Sequence, residues 1–148
     1  IYYLLIMFLY YFSVSVIFVL VSLLLSVFDV KFQKIPLIPV FCGIFLILIC
    51  HFVFNIREVY LFVISDSIIF LIYFMVRKIS GNKLGSGDVY FALFCGVIIK
   101  PLFLWLFMLF NVLFTLPFFI KKSGSFKLPF IPFMSAACCI CLILTFIF

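Results

Sequence analysis

The sequence predicts an all-α membrane protein, a polytopic bundle of about six transmembrane helices. Its composition is the first reason: 70% of the 148 residues are hydrophobic and 9% are charged, whereas average usage is about 25% charged residues. The second reason is that apolar stretches recur to the end of the chain, while a secretory protein has one short apolar leader before a polar domain. The third is that the basic residues cluster between these stretches, as topology determinants do. The lipid bilayer is therefore the expected environment.

Polar interruptions divide the chain into six apolar segments, which we place at residues 2–28, 36–54, 59–76, 89–99, 102–120 and 131–148. The fourth segment is too short to span a bilayer. It either continues past Lys100 and Pro101 or forms a half-helix buried in the bundle, where protein contacts satisfy its ends. No repeat or linker divides the chain, so we predict a single domain over residues 1–148.

The basic residues give the expected orientation, because Lys and Arg are retained on the cytoplasmic side of a membrane. Eight of the ten lie in the first, third and fifth loops, against Arg57 and Lys100 on the opposite face. These loops are therefore predicted to be cytoplasmic, and both termini are predicted to lie outside. The eight residues are Lys31, Lys34, Arg77, Lys78, Lys83, Lys121, Lys122 and Lys127.

The net charge of +6 is explained by these topology determinants, so we predict no nucleic-acid partner. All six cysteines lie within apolar stretches, where a free cysteine behaves as a small hydrophobic residue. Cys138 and Cys141 have C-x-x-C spacing, but a metal or redox site usually needs a second ligand pair and polar access. We therefore predict helix packing for the cysteines, with no disulfide framework, metal or cofactor.

Two of the four acids have matching positions in the predicted topology. Asp29 ends the first segment and Asp88 begins the fourth, on the same face of the membrane. Because these helices run in opposite directions, the two carboxyl groups can meet, and neighbouring carboxyl groups share a proton. One carboxylate can then activate water while the other protonates a departing amine. This arrangement is the one that an aspartyl protease requires. Glu58, beside Arg57, is predicted to be an ordinary surface charge.

Local patterns around the two acids allow structural and functional explanations. Ser15, Ser22, Ser26 and Asp29 fall on one helical face, which we expect to point into the bundle. The serines could also serve as hydrogen-bonding contacts between helices. The glycines before Asp88 permit a close approach of substrate backbone. Alternatively, that segment is a turn and Asp88 caps the fourth helix.

Two further polar residues lie at membrane depth. Asp66 is about 16 Å deeper than Arg77 at a rise of 1.5 Å per residue, too deep to join the pair. We predict a structural role for it, with a proton-relay role left open. His51 has no cysteine or carboxylate partner at ligand spacing, and we predict a packed or interfacial histidine.

Three segments resemble the type IV prepilin peptidases, membrane proteases that carry a Gly-x-Gly-Asp motif. The segment from Asp29 to Pro36, DVKFQKIP, looks like the family's first motif, and the segment from Gly85 to Val89, GSGDV, resembles its second. The segment 129–133, PFIPF, is similar to the Pro-Phe-x-Pro-Phe element that opens the last helix. Leu37 stands where the family usually has Asn, and Tyr90 where it usually has Lys. Neither departure removes a motif carboxylate.

The resemblance implies an aspartic-type endopeptidase in the cytoplasmic membrane, with Asp29 and Asp88 as catalytic residues facing the cytoplasm. The implied substrates are prepilin-like precursors (pilins, pseudopilins or archaellins), whose basic leader is cut just before an apolar N-terminal helix. We expect seven residues to support the substrate or the acid pair: Lys34, Ile35, Pro36, Lys83, Gly85, Ser86 and Gly87.

Other functions are compatible with parts of the pattern. A presenilin-like intramembrane protease shares the Gly-x-Gly-Asp loop, but it has a different helix count and a Pro-Ala-Leu element that this chain lacks. A non-catalytic membrane scaffold or a small transporter could use the buried acids for assembly or ions. Retention of both motif aspartates favours the peptidase.

Overall fold

The chain folds into six α-helices and contains no strand among the described residues. A computed structural model describes residues 2–54, 56, 59–79, 81, 84–121 and 129–147. A single 3₁₀ turn, Pro101–Phe103, leads into the fifth helix. The predicted all-α bundle is confirmed. The helices are α1 (Tyr2–Phe32), α2 (Leu37–Phe54), α3 (Val59–Ile79), α4 (Ser86–Gly96), α5 (Leu104–Lys121) and α6 (Ile131–Ile147).

The first three helices are long and apolar enough to cross a membrane. Only 17–22% of the residues in their most apolar stretches are buried inside the protein. The remaining apolar side chains point outward, which water would disfavour and lipid tolerates. In the described part of the chain, α5 and α6 have shorter apolar stretches, Pro101–Leu116 and Ile131–Thr145. The chain is a membrane protein.

Helix α4 lies at the centre of the bundle and packs against α2, α3 and α6. Its eleven residues span only about 16 Å, and most of them are buried. The helix stops at Gly96, and residues 97–100 form a turn that separates it from the 3₁₀ turn. The half-helix alternative is therefore correct, and continuation of the fourth segment past Lys100 is wrong. The buried residues are Val89, Phe91, Ala92, Phe94, Cys95 and Gly96.

A buried histidine satisfies a backbone group at the end of α4. The Nε2–H of His51 donates to the carbonyl oxygen of Val97 at 2.7 Å, and Nδ1 accepts the hydroxyl hydrogen of Tyr10 at 2.6 Å. The ring also stacks on Phe62, with 4.0 Å between the ring centroids. Because a carbonyl oxygen can only accept, Nε2 is the nitrogen that carries a hydrogen in this contact. His51 is fully buried, so the packed histidine is confirmed and the interfacial one is not.

Helix α1 extends four residues beyond the predicted apolar segment, through Phe32. Asp29 therefore lies in the last helical turn, as its place on the predicted polar face of the helix requires. Lys31 also falls in this turn, where a positive charge interacts favourably with the helix dipole. Gln33 then ends the helix in a left-handed conformation (φ 50°), and its N–H donates to the Asp29 carbonyl oxygen at 3.0 Å.

The inward face of α1 agrees with the predicted polar stripe. Ser22 and Asp29 are buried, while Ser15 and Ser26 are half-buried. The hydroxyl groups of Ser15 and Ser22 donate to carbonyl oxygens of α1 itself, those of Tyr11 and Val19. The serines face the bundle, but these two bonds do not join helices as the alternative explanation required.

Candidate active site

Asp29 connects the end of α1 to the beginning of α6. Its side chain is 6% exposed. Its Oδ2 accepts the backbone N–H of Ile131 at 3.0 Å, and the N–H of Phe130 lies close enough to interact favourably with the carboxylate. Two residues of the Pro-Phe-x-Pro-Phe segment therefore hold an acid that lies about one hundred positions earlier in the chain.

Asp88 occupies the third position of α4 and folds back on the helix start. Its Oδ2 accepts the N–H of Gly85, the N-cap residue, at 3.2 Å, as the third residue of a capping box does. A Cβ atom on Gly85 would lie 2.9 Å from that oxygen, so glycine allows this return contact. The prediction that Asp88 is the N-cap residue of α4 is wrong, because Gly85 is the N-cap residue and Asp88 lies three residues later.

The fold brings the two carboxyl groups within electrostatic reach of each other. Asp88 lies outside the three helices that are long enough to span the membrane. Its pKa is raised to about 7, first by burial and then by the negative charge of Asp29, while the Gly85 N–H acts in the opposite direction. A carboxyl group with such a pKa holds a proton for much of the time near neutral pH. The site can therefore offer one proton donor and one proton acceptor together.

Ile35 and Gly87 bring the first loop into contact with the start of α4. A methyl group on Gly87 would overlap the side chain of Ile35, so the loop and the helix can pack this closely only with glycine at that position. The space beside Gly87 is filled by Ile35 and not left open for a substrate. Pro36 is half-buried immediately before α2, and Lys34 and Ser86 are exposed near the pair. Lys83 lies outside the described residues.

Sequence reasoning missed Tyr73, which lies near Asp88, and its hydrogen-bond partner Asn111. Tyr73 of α3 is buried and lies within electrostatic reach of Asp88. Its hydroxyl oxygen accepts a hydrogen bond from the Asn111 side-chain amide of α5 at 3.1 Å. Tyr73 follows Asp66 by seven positions, and this helical spacing is the signal that placed both on one face of α3. Tyr90, at the usual Lys position, packs on Phe41, with 5.7 Å between the ring centroids.

Asp66 lies at the opposite end of α4 from the acid pair. A Cβ atom on Gly96 would lie 2.8 Å from the Asp66 Cα and 2.9 Å from its Oδ1. Gly96 follows Asp88 by eight helical residues, or about 12 Å at 1.5 Å per residue. The Oδ1 atom is buried and has no hydrogen-bond partner in the described part of the chain. The structure therefore does not bring Asp66 to Asp29 and Asp88.

Ligand clusters for a metal ion are also absent from the described part of the chain, where no three or more His, Cys, Asp or Glu residues come together suitably. Cys138 and Cys141 are buried in the packing of α6. The Cys141 thiol lies 3.9 Å from the carbonyl oxygen of Phe103. These contacts are those of packed thiols.

The family comparison supplies the remaining finding. Residues 16–120 match the model of the type IV leader peptidase family. The chain belongs to this family. The matched residues include Asp29 and Asp88 and stop before the Pro-Phe-x-Pro-Phe segment. No curated protein and no solved structure matches the chain.

Proposed function

We propose that this membrane peptidase is an aspartyl endopeptidase in which Asp29 and Asp88 form the catalytic pair. Its substrates are prepilin-like precursors: pilins, pseudopilins or archaellins with a basic leader before an apolar helix. One observation carries the proposal. Two acids from different helices, each held by backbone N–H groups, lie within electrostatic reach of each other. A pair of this kind shares a proton and can perform acid and base catalysis in one step.

The position of the pair suits cleavage where a helix enters the membrane. Asp29 lies in the last turn of α1 and Asp88 in the first turn of α4, so both belong to helix ends rather than helix centres. The first, third and fifth loops together carry eight of the ten basic residues, and the first and third adjoin these helix ends, which favours the cytoplasmic face of the inner membrane. A substrate whose apolar helix rests in the bilayer would present its leader junction at this level.

Cleavage of a leader peptide by the purified protein tests the proposal. We expect the parent protein to cut prepilin leaders before the apolar helix, and Asp29→Asn and Asp88→Asn each to abolish cutting. The double variant should be no worse than either single variant, because residues that act as one unit are not additive. Ser67→Ala, an exposed serine change on α3 outside the residues expected to support the pair, is the matched control and should stay active. A chelator should have no effect.

Two results would require a different function. Near-normal turnover by either Asn variant would remove that acid from the chemistry, and inhibition by a chelator would indicate a metal-dependent reaction. If every leader stayed intact with well-folded parent protein, the scaffold or transporter explanation would become the better one.

A further inference from the structure

The contact between Asp29 and the start of α6 gives the Pro-Phe-x-Pro-Phe segment a chemical task. The N–H of Ile131 donates to the Asp29 carboxyl group, and the N–H of Phe130 lies close enough to interact favourably with it. Ile131 is fully buried and Asp29 nearly so, so water has little access to these hydrogen bonds. Hydrogen bonds from buried N–H groups to a carboxylate favour its ionised form.

The prolines of this segment determine which N–H groups are available. The first N–H groups of a helix have no partner within it, and Pro129 and Pro132 have no N–H to offer. The first bond within α6 runs from the Met134 N–H to the Phe130 carbonyl oxygen at 3.2 Å. Phe130 and Ile131 are thus the donors between the two prolines. They also lie at the positive end of the helix dipole.

Asp88 has a weaker set of contacts for a negative charge. Its donor is the Gly85 N–H at 3.2 Å, whereas Asp29 has the Ile131 N–H at 3.0 Å and the nearby Phe130 N–H, both at the N terminus of another helix. Burial and the charge of Asp29 raise the pKa of Asp88 to about 7. The two carboxyl groups therefore have unequal environments.

We propose that the N terminus of α6 keeps Asp29 as the ionised member of the pair, so that Asp29 is the base and Asp88 the acid. This assignment rests on the proposed aspartyl mechanism and extends it to the role of each residue. Phe130 and Ile131 act as positioning residues through their backbone N–H groups, because they touch Asp29 and not the reacting bond.

The charged groups near Asp29 are consistent with this assignment. Asp88 from α4 is the charged group whose interaction with Asp29 the structure records. Lys31, on the same helix as Asp29, extends over the Phe32 ring, with 5.3 Å from its Nζ to the ring centroid. Lys34 is exposed in the following loop. The α6 N–H groups are thus the direct partners of the Asp29 carboxylate.

With Asp29 as the base and Asp88 as the acid, the proton transfers of peptide-bond hydrolysis balance. Asp29 takes one proton from water while the water oxygen bonds to the scissile carbonyl carbon. Asp88 then gives its proton to the amide nitrogen as the carbon–nitrogen bond breaks, which releases a carboxylic acid and an amine. The proton on Asp29 passes to Asp88 and restores the starting state.

Removal of one backbone donor tests the assignment. Ile131→Pro deletes the N–H at the first position of a helix, a position that proline tolerates. Loss of a hydrogen bond to a charged group should move the acidic limb of the rate profile up by about one to two pH units. The alkaline limb should stay in place. Ile131→Ala keeps the N–H but loses packing, so it should lower the rate without moving the acidic limb.

A measurement that needs no activity covers the case in which the proline variant does not fold. Carboxyl groups labelled with ¹³C-aspartate should show Asp29, in Asp88→Asn protein, ionising at lower pH than Asp88 does in Asp29→Asn protein. The reverse order would overturn the assignment, as would an unchanged acidic limb in folded, active Ile131→Pro protein. The reverse order of ionisation and the unchanged acidic limb could each occur while both Asn variants are inactive. Either result would therefore overturn the assignment of acid and base and leave the aspartyl mechanism intact. Cleavage by those variants would instead refute the mechanism itself.

Discussion

The alkaline limb of the rate profile is the most direct consequence of the position of Asp88. Burial and the charge of Asp29 raise the pKa of this carboxyl group to about 7, so its proton is present below that pH and is lost above it. If catalysis needs this proton, kcat/KM should fall on the alkaline side. In an enzyme that is limited by a base that must lose its proton, kcat/KM would instead rise as the pH increases.

The expected size of the fall follows from a single titration. With a pKa of about 7, the protonated fraction is roughly one in eleven at pH 8 and one in a hundred at pH 9. The rate should therefore decrease about tenfold per pH unit above the midpoint. The midpoint belongs to the pair of carboxyl groups, because the charge on one affects proton loss from the other.

The assay should use a leader peptide without histidine and with a blocked amino terminus, since both groups titrate in this range. Ser67→Ala, an exposed change on α3, should show the same alkaline limb as the parent, because neither side chain carries a charge. A group whose pKa rises on folding gives stability that is present below its unfolded pKa and is lost as pH rises through the folded value. Helical content must therefore be measured at each pH.

A flat kcat/KM up to pH 9, with the protein still folded, would refute the requirement for a proton on Asp88. A rate that rises with pH would also do so, because it would indicate a base or a thiolate that works only after losing its proton.

Three other predictions concern the rest of the bundle. Asp66→Asn should keep cleavage within about tenfold of the parent, since the residue lies at the far end of α4; a folded but inactive variant would contradict this. His51→Phe should lower the free energy of unfolding in detergent by about 1–3 kcal/mol, because it loses two hydrogen bonds. Tyr10→Phe loses only one of them and should lower it less. Equal losses would count against the hydrogen bond from His51 to the Val97 carbonyl oxygen. In cysteine-free protein, a single cysteine in place of Ile79 should react with an impermeant reagent added on the cytoplasmic side. A single cysteine in place of Ile56 should react with the reagent added outside. The reverse pattern would place the acid pair on the wrong side of the membrane.

Much of the site could be predicted from local sequence because its elements follow local rules. The spacing of Ser22 and Asp29 on one helical face predicted that Asp29 points into the bundle, and its burial confirms this. The length of the fourth apolar segment limited it to two alternatives, of which the structure selected the half-helix. Exact helix ends were less predictable. Helix α1 continues through Asp29 because Lys31 and Gln33 provide a favourable last turn and a left-handed stop.

By itself, the sequence determined the membrane class, the number of helices and the acids worth considering, since apolar run length and the rarity of charge act residue by residue. Only the tertiary structure decided which groups those acids meet. The N–H groups of Phe130 and Ile131 lie about one hundred positions from Asp29, and the contact between Ile35 and Gly87 joins the first loop to the start of α4. Such contacts depend on how α1, α4 and α6 pack together. That packing is a property of all three helices at once, and no local pattern records it.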